Sequence, residues 1–335
     1  MTHSDAHEAY ELLLEQQRRL GPVVRSAVSA ACAGAPALER SVLALLEVDT
    51  SSASPFRLLA MSVHGALTGD PEPALPVCVL SRLWWAGAEV LDDVMDGQFD
   101  PRAAGMSTAA VTVASTACLA PLPQEVIAGM GLSSSVGASF ARELNRTTIE
   151  AADGQLADVT QDTASDFWKR TMTGYVGKTG APYGRDAAMA ALLAGRTEEE
   201  VRGWRAFGRL FGVLRQTAND RAPLTAELDT DLANGTPTLL RAYALETLPP
   251  AEAEALGRAH SDAMRDARAR SAVWERLRRP DVAVGYDRRI AGLRHRLSVL
   301  LHQLAPPSPH RDVIQWMVNV SAESSQLRNQ DGVAA

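Results

Sequence analysis

The sequence predicts an all-α protein, a single large helical bundle, and three observations carry that expectation. Ala and Leu abound while Val and Ile rarely come in runs, a balance that favours helices over strands. Convincing period-two alternation is missing. Gly and Pro punctuate the chain at intervals suited to helix ends.

In chain order, helices are expected at about 5–33, 36–47, 55–67, 74–97, 105–119, 123–130 and 134–162. They continue at about 165–191, 198–222, 237–246, 251–276, 284–304 and 309–327. Gly21-Pro22 disturbs the first, and the stretch from Thr50 to Ser54 separates the second from the third. Gly69 to Pro73 precedes the fourth, and Asp100-Pro101 follows it. Pro223 should end the helix at 198–222, Pro249-Pro250 opens the next long one, and Pro306 to Pro309 introduces the last.

The chain has 335 residues, enough for one large domain or two ordinary ones. A single domain over 1–335 is expected, with core motifs in 55–245 and C-terminal helices in 250–335. Net charge is −7 and the isoelectric point is near 5.6, so the basic footprint of a nucleic-acid binder is missing. An anionic substrate would need metal ions or a local group of Arg and Lys. Cys32, Cys78 and Cys118 are far apart and odd in number, and read as reduced core residues of a cytoplasmic protein. The polar, acidic N-terminus is unlike a signal peptide. The uncharged run at 103–124 is rich in Ser and Thr and broken by Pro121 and Pro123, which suits a buried bundle helix better than a membrane anchor.

The most informative stretch is WWAGAEVLDDVMDGQFD, residues 84–100. On a helix Asp92 and Asp96 stack one turn apart, with Asp93 at the edge of the same face. Like charges so placed repel, so a cation is expected to compensate. Mg2+ suits such a cluster, because it takes one or two carboxylates together with waters and substrate phosphates. Trp85, Ala88 and Asp92 share a face, so the stripe runs from aromatic to acidic, like a pocket wall with a charged rim. A second polar group lies in FGRLFGVLRQTANDRAPLTAE, residues 207–227. Gln216, Asn219 and Asp220 fall on one helical face, and Glu227 follows Asn219 by eight residues beyond Pro223. Capping the helix end would explain Asn219 and Asp220 equally well.

Smaller signals lie between these two. GQLAD, 154–158, sets Gln155 and Asp158 one turn apart, and GYVGKTGAPYG, 174–184, puts Lys178 and Thr179 in an otherwise apolar helix. The latter is not a Walker loop, because Met172 stands where that loop needs a glycine.

Taken together these stretches resemble the class I isoprenoid synthases, specifically the trans-isoprenyl diphosphate synthase (polyprenyl synthetase) family. LDDVMD resembles the first aspartate-rich motif, GQLAD the GQxxD helix and GKTGAP the KT helix. FGVLRQTAND stands where the family has FQxxDDxxD, and DLANGTPTLLRAYAL, 231–245, is similar to its DLxxGKxTLPxxYAL segment.

The resemblance implies that Asp92, Asp93 and Asp96 bind Mg2+ ions bridging to an allylic diphosphate, three ions in all, with Mn2+ as a substitute. Asn219, Asp220 and Glu227 would complete the metal set. Lys178, Thr179 and Gln216 would contact the diphosphate. Trp85, Ala88, Gln155 and Asp158 would line the substrate site. The substrate would be farnesyl or geranylgeranyl diphosphate, since Gly87 and Ala88 are small and leave room down to Trp84 or Trp85. A homodimer is expected, with no nucleic acid and no stable membrane anchor.

Departures from the family pattern set the order of readings. Where elongating synthases carry GGKRxRP, this chain has SSASPFRLL, 51–59, with Arg57 as the lone cation. Their RRG segment is represented by Arg102 alone, Asn219 and Pro223 replace two aspartates, and Thr236 replaces a lysine. Each lost cation removes a contact worth about 1.5–3 kcal/mol, which should weaken a second diphosphate site severely. The first reading is therefore a terpene synthase that ionises one C15 or C20 diphosphate and cyclises the cation. The second is a prenyltransferase using isopentenyl diphosphate or another acceptor, and the third is a non-catalytic partner subunit.

Overall fold

The computed structural model describes residues 3–48, 54–159, 167–221 and 229–326. Within them the chain forms α1 (His3–Ala31), α2 (Pro36–Val48), α3 (Leu59–Thr68), α4 (Leu75–Met95), α5 (Pro101–Ala104) and α6 (Thr108–Leu119). These are followed by α7 (Pro121–Gly129), α8 (Ser134–Val159), α9 (Phe167–Tyr175), α10 (Ala181–Leu193), α11 (Glu198–Asn219) and α12 (Thr230–Asn234). The series ends with α13 (Leu239–Thr247), α14 (Pro250–Ala263), α15 (Ala267–Leu277), α16 (Pro280–Leu304) and α17 (Pro309–Ser325). No strand occurs among the described residues, so the all-α expectation holds.

Local chemistry explains where the predicted boundaries moved. Residues 251–276 form two helices, because α14 stops at Ala263 and the Asp266 carboxylate restarts the chain by accepting the Arg268 N–H at 2.9 Å. Asp100 and Asp229 likewise nucleate the short helices α5 and α12, which periodicity alone does not reveal. Pro121 opens α7 instead of ending α6, consistent with proline's tolerance in a first turn. Between α9 and α10 the chain widens into a π-helical turn, Val176–Gly180. The run at 103–124 is not a fully buried helix. In α6, Val111, Ala114, Ser115 and Cys118 are buried while Val113 is 65% exposed, so a single face packs inward.

The chain divides into two compact units. The first comprises residues up to Ile149, Gly184–Ala206 and His302–Trp316. Its centre is α4, whose residues from Val77 to Gly87 are all buried. Gly87 lets α6 approach closely, since a Cβ there would lie 2.8 Å from both Cys118 Cβ and the Ser115 carbonyl oxygen. A buried polar set anchors this helix. Ser81 donates to Asp186, which also pairs with Arg185, and the Trp84 N–H donates to Thr148 Oγ1 at 3.2 Å. Cys32, Cys78 and Cys118 are free thiols and buried, as expected.

The second unit comprises Glu150–Tyr183, Phe207–Leu301 and the chain from Met317 on. Here glycines set helix spacing at two crossings. A Cβ on Gly177 would come within 2.5 Å of the Glu150 carbonyl oxygen, and one on Gly212 would collide with that of Thr179. The π-turn is thereby held tightly between the Glu150–Val159 end of α8 and the middle of α11. The glycines of GQLAD and GKTG serve backbone approach.

Candidate functional site

The acidic cluster sits where α4 ends. Asp96 is the C-cap, its N–H donating to the Asp92 carbonyl at 2.9 Å. The chain then turns through Gly97 at φ 70°, and the Asp93 carbonyl accepts the N–H groups of Gln98 and Phe99. Asp92, Asp93 and Asp96 therefore all lie in the last turn, at the negative end of the helix dipole. Each carboxylate there is disfavoured by about 0.3–1 kcal/mol, on top of mutual repulsion. Asp92 is partly buried, while Asp93 and Asp96 are exposed. The placement rewards a cation.

The donor set fits a hard divalent ion. Among the described residues, no three acidic, His or Cys side chains already converge on one point. Mg2+ does not need such a cage, since it keeps several waters and takes one or two carboxylates plus phosphate oxygens. Three carboxylates on one helix end supply that chemistry.

Below the acidic end, α4 is less open than the sequence suggested. Trp85 is 6% exposed, and the Arg57 guanidinium lies 3.5 Å over its ring while pairing with Glu89. One face of the indole already holds a cation, and Trp84 meets Trp85 edge-on. The small size of Gly87 serves the crossing with α6. Ala88 is half-buried.

The second polar group is arranged differently, inside the second unit. Thr179 Oγ1 donates to Gln216 Oε1 at 2.6 Å, and Gln216 Nε2 donates to Asp220 Oδ1 at 3.0 Å. The Tyr175 hydroxyl donates to the other Asp220 oxygen and accepts the Leu239 N–H at 3.0 Å. Both oxygens of Asp220 thus accept protein donors, and the side chain is 8% exposed. Burial, reinforced by Asp231, pushes its pKa well above the usual carboxylate range, while Tyr175, Gln216 and Arg221 act in the opposite sense. Asn219 is exposed, and its Oδ1 accepts from Arg215 at 3.3 Å. Lys178 and Gln155 are half-buried. Glu227 and the side chain of Asp158 lie outside the described residues.

Two participants escaped the sequence reading. Tyr175 ends α9 with a buried phenol, and a buried hydroxyl must find a partner, which was the available signal. Glu89 follows Trp85 by one helical turn, and nothing local ties it to Arg57. A 470 Å³ groove beside α9, lined by Glu150, Trp168, Lys169 and Arg209 among others, includes none of the predicted site residues.

The polyprenyl synthetase family model matches residues 58–275, well over half the chain. The chain belongs to the polyprenyl synthetase family. The matched span holds Asp92 to Asp96, the π-turn and Gln216 to Asp220, and it begins just after Arg57.

Solved structures share the fold. The geranylgeranyl pyrophosphate synthetase of Pyrococcus horikoshii is 16% identical with a TM-score of 0.74, covering 94% of this chain and 99% of that one. A polyprenyl synthetase from Streptomyces coelicolor is 20% identical with a TM-score of 0.70, covering 93% and 99%. The Corynebacterium glutamicum geranylgeranyl pyrophosphate synthase, solved with isoprenyl diphosphate and magnesium, is 17% identical with a TM-score of 0.73, covering 91% and 99%. A comparison with curated proteins finds no match.

Proposed function

We propose that this polyprenyl synthetase family member is a Mg2+-dependent prenyltransferase whose donor is an allylic isoprenyl diphosphate of about C15–C20. Family membership over 58–275, with an acidic helix end inside the matched span, is the observation that carries this reading. The neighbour from Corynebacterium glutamicum, solved with isoprenyl diphosphate and magnesium, supports it by analogy of fold.

In this reading Asp92, Asp93 and Asp96 hold the divalent ions, which when bound supply positive charge to the departing diphosphate. Within the second unit, Lys178 offers a cation, and Thr179 and Gln216 offer polar contacts, suited to diphosphate oxygens. The buried aromatic and apolar residues of α4 keep water from the allylic cation that ionisation leaves behind.

A second reading, cyclisation of the same cation without an acceptor, is favoured by one observation. Arg57, the lone cation of its segment, is engaged by Trp85 and Glu89. An acceptor diphosphate would have to displace Glu89 to use it.

One assay separates the two. The protein is incubated with Mg2+ and geranyl, farnesyl or geranylgeranyl diphosphate, with and without isopentenyl diphosphate, and products are extracted. Longer diphosphates formed only with isopentenyl diphosphate support transfer to that acceptor. Hydrocarbons or alcohols formed without it support cyclisation. No turnover of any of the three donors, with or without acceptor, refutes both readings.

A further inference from the structure

We infer that Tyr175 and Asp220 form a positioning pair that orients the Gln216 carboxamide toward the diphosphate, and that Asp220 is not itself a metal ligand. The inference rests on the reading that Gln216 and Thr179 contact that diphosphate.

Proton counting shows how the pair works. The Tyr175 oxygen accepts the Leu239 N–H, so its single proton goes to Asp220. Thr179 donates to Gln216 Oε1, so the carboxamide presents its NH2 group to Asp220. That bond uses one of the two amide protons, and the second hydrogen of Nε2 has a fixed direction because both ends of the carboxamide are held. With Gln216 half-buried, that hydrogen is a placed donor for an anionic oxygen. Tyr175 also ties three segments together. It sits immediately before the π-turn carrying Lys178 and Thr179, reaches Asp220 just past the end of α11, and receives the first N–H of α13.

Metal ligation by Asp220 would work against this arrangement. Each carboxylate oxygen already accepts a protein hydrogen bond, and the side chain is nearly inaccessible. Asp92, Asp93 and Asp96 carry no comparable burial. Mg2+ dehydrates reluctantly and keeps its waters, so an accessible carboxylate suits it better than an enclosed one.

The test compares wild type, Tyr175→Phe and Asp220→Asn in two ways. Steady-state kinetics with farnesyl diphosphate gives KM and the Mg2+ half-saturation, and thermal unfolding gives the stabilisation by Mg2+ with inorganic pyrophosphate. Both variants are expected to raise KM by about three- to tenfold, to weaken the pyrophosphate stabilisation, and to leave the Mg2+ half-saturation within about twofold of wild type. A Mg2+ half-saturation raised tenfold or more in Asp220→Asn makes Asp220 a ligand and overturns the inference. Unchanged KM and unchanged pyrophosphate stabilisation in both variants make the pair packing alone, and overturn it too. Asp220→Asn is isosteric and decides the matter if Tyr175→Phe does not fold. Wild-type protein that neither turns over nor is stabilised by Mg2+ with pyrophosphate refutes the functional reading itself, a result distinct from either variant outcome.

Discussion

The end of α4 and the end of α11 carry similar side chains in opposite surroundings. At the first, Asp92, Asp93 and Asp96 crowd the negative pole of a helix with at least two of them exposed. At the second, Asp220 is enclosed and supplied with donors from Tyr175 and Gln216. A carboxylate at the negative pole of a helix and exposed to solvent is suited to recruit a cation. A carboxylate whose lone pairs are matched by the protein is suited to hold other groups still. Residue type alone does not distinguish the roles; environment does.

The largest effect should come from the exposed end. Asp92→Ala is expected to lower kcat about 10²- to 10³-fold, comparable to removing a strong transition-state contact, with the folded state intact by circular dichroism. A change below about fivefold would break the contrast between the two ends.

Next comes the packing that holds the buried end. Gly177→Val forces a side chain against the Glu150 carbonyl and Gly154, where a Cβ alone already lies 2.5 Å from that oxygen. Overpacking of this kind costs about 1–3 kcal/mol or more, readable as a fall in chemical-denaturation midpoint. An unchanged midpoint would mean that the crossing can open freely.

A third test asks whether buried polar pairs in the second unit behave as the Asp220 network does. His260 is 3% exposed and sits 2.7 Å from Arg241 Nη1, and burial, together with the Arg241 charge, lowers its pKa to about 3. The folded state therefore keeps His260 neutral while the unfolded chain titrates near 6.5. Its contribution is fully present above about pH 6.5 and is lost as pH falls toward 3. Between pH 6.5 and 5 this amounts to at most about 2 kcal/mol. Unfolding at pH 7 and pH 5 should show a smaller acid loss in His260→Gln than in wild type, and equal losses would remove the effect.

The smallest expected change concerns the flank of the exposed end. Arg57→Met should cost about 1 kcal/mol, the scale of a cation–π contact plus a partly exposed ion pair. A guanidinium essential to catalysis would instead show a large loss of turnover with little change in stability.

Much of this contrast was legible in the sequence. The spacing of Asp92 and Asp96 fixed their helical face, and Gln216 and Asp220 at i and i+4 announced a pair that the structure hydrogen-bonds directly. Local pattern suffices where partners lie one turn apart. It fails where they come from distant segments. Tyr175 meets Asp220 across 45 residues, and Arg57 meets Glu89 across 32. Nor does local pattern show that Gly87 lets α6 approach α4, a contact between segments about 30 residues apart. The π-turn at 176–180 depends on glycine contacts with α8 and α11, which no local period encodes.

The most direct measurement is divalent-ion binding itself, followed by the electron paramagnetic resonance signal of free Mn2+ in the presence of inorganic pyrophosphate. Wild type and Asp220→Asn should deplete that signal equally, and the doubly substituted Asp92→Asn, Asp96→Asn protein should leave it near the protein-free level. Retained ion binding in the double variant, or its loss in Asp220→Asn, would contradict the assignment of the metals to the end of α4.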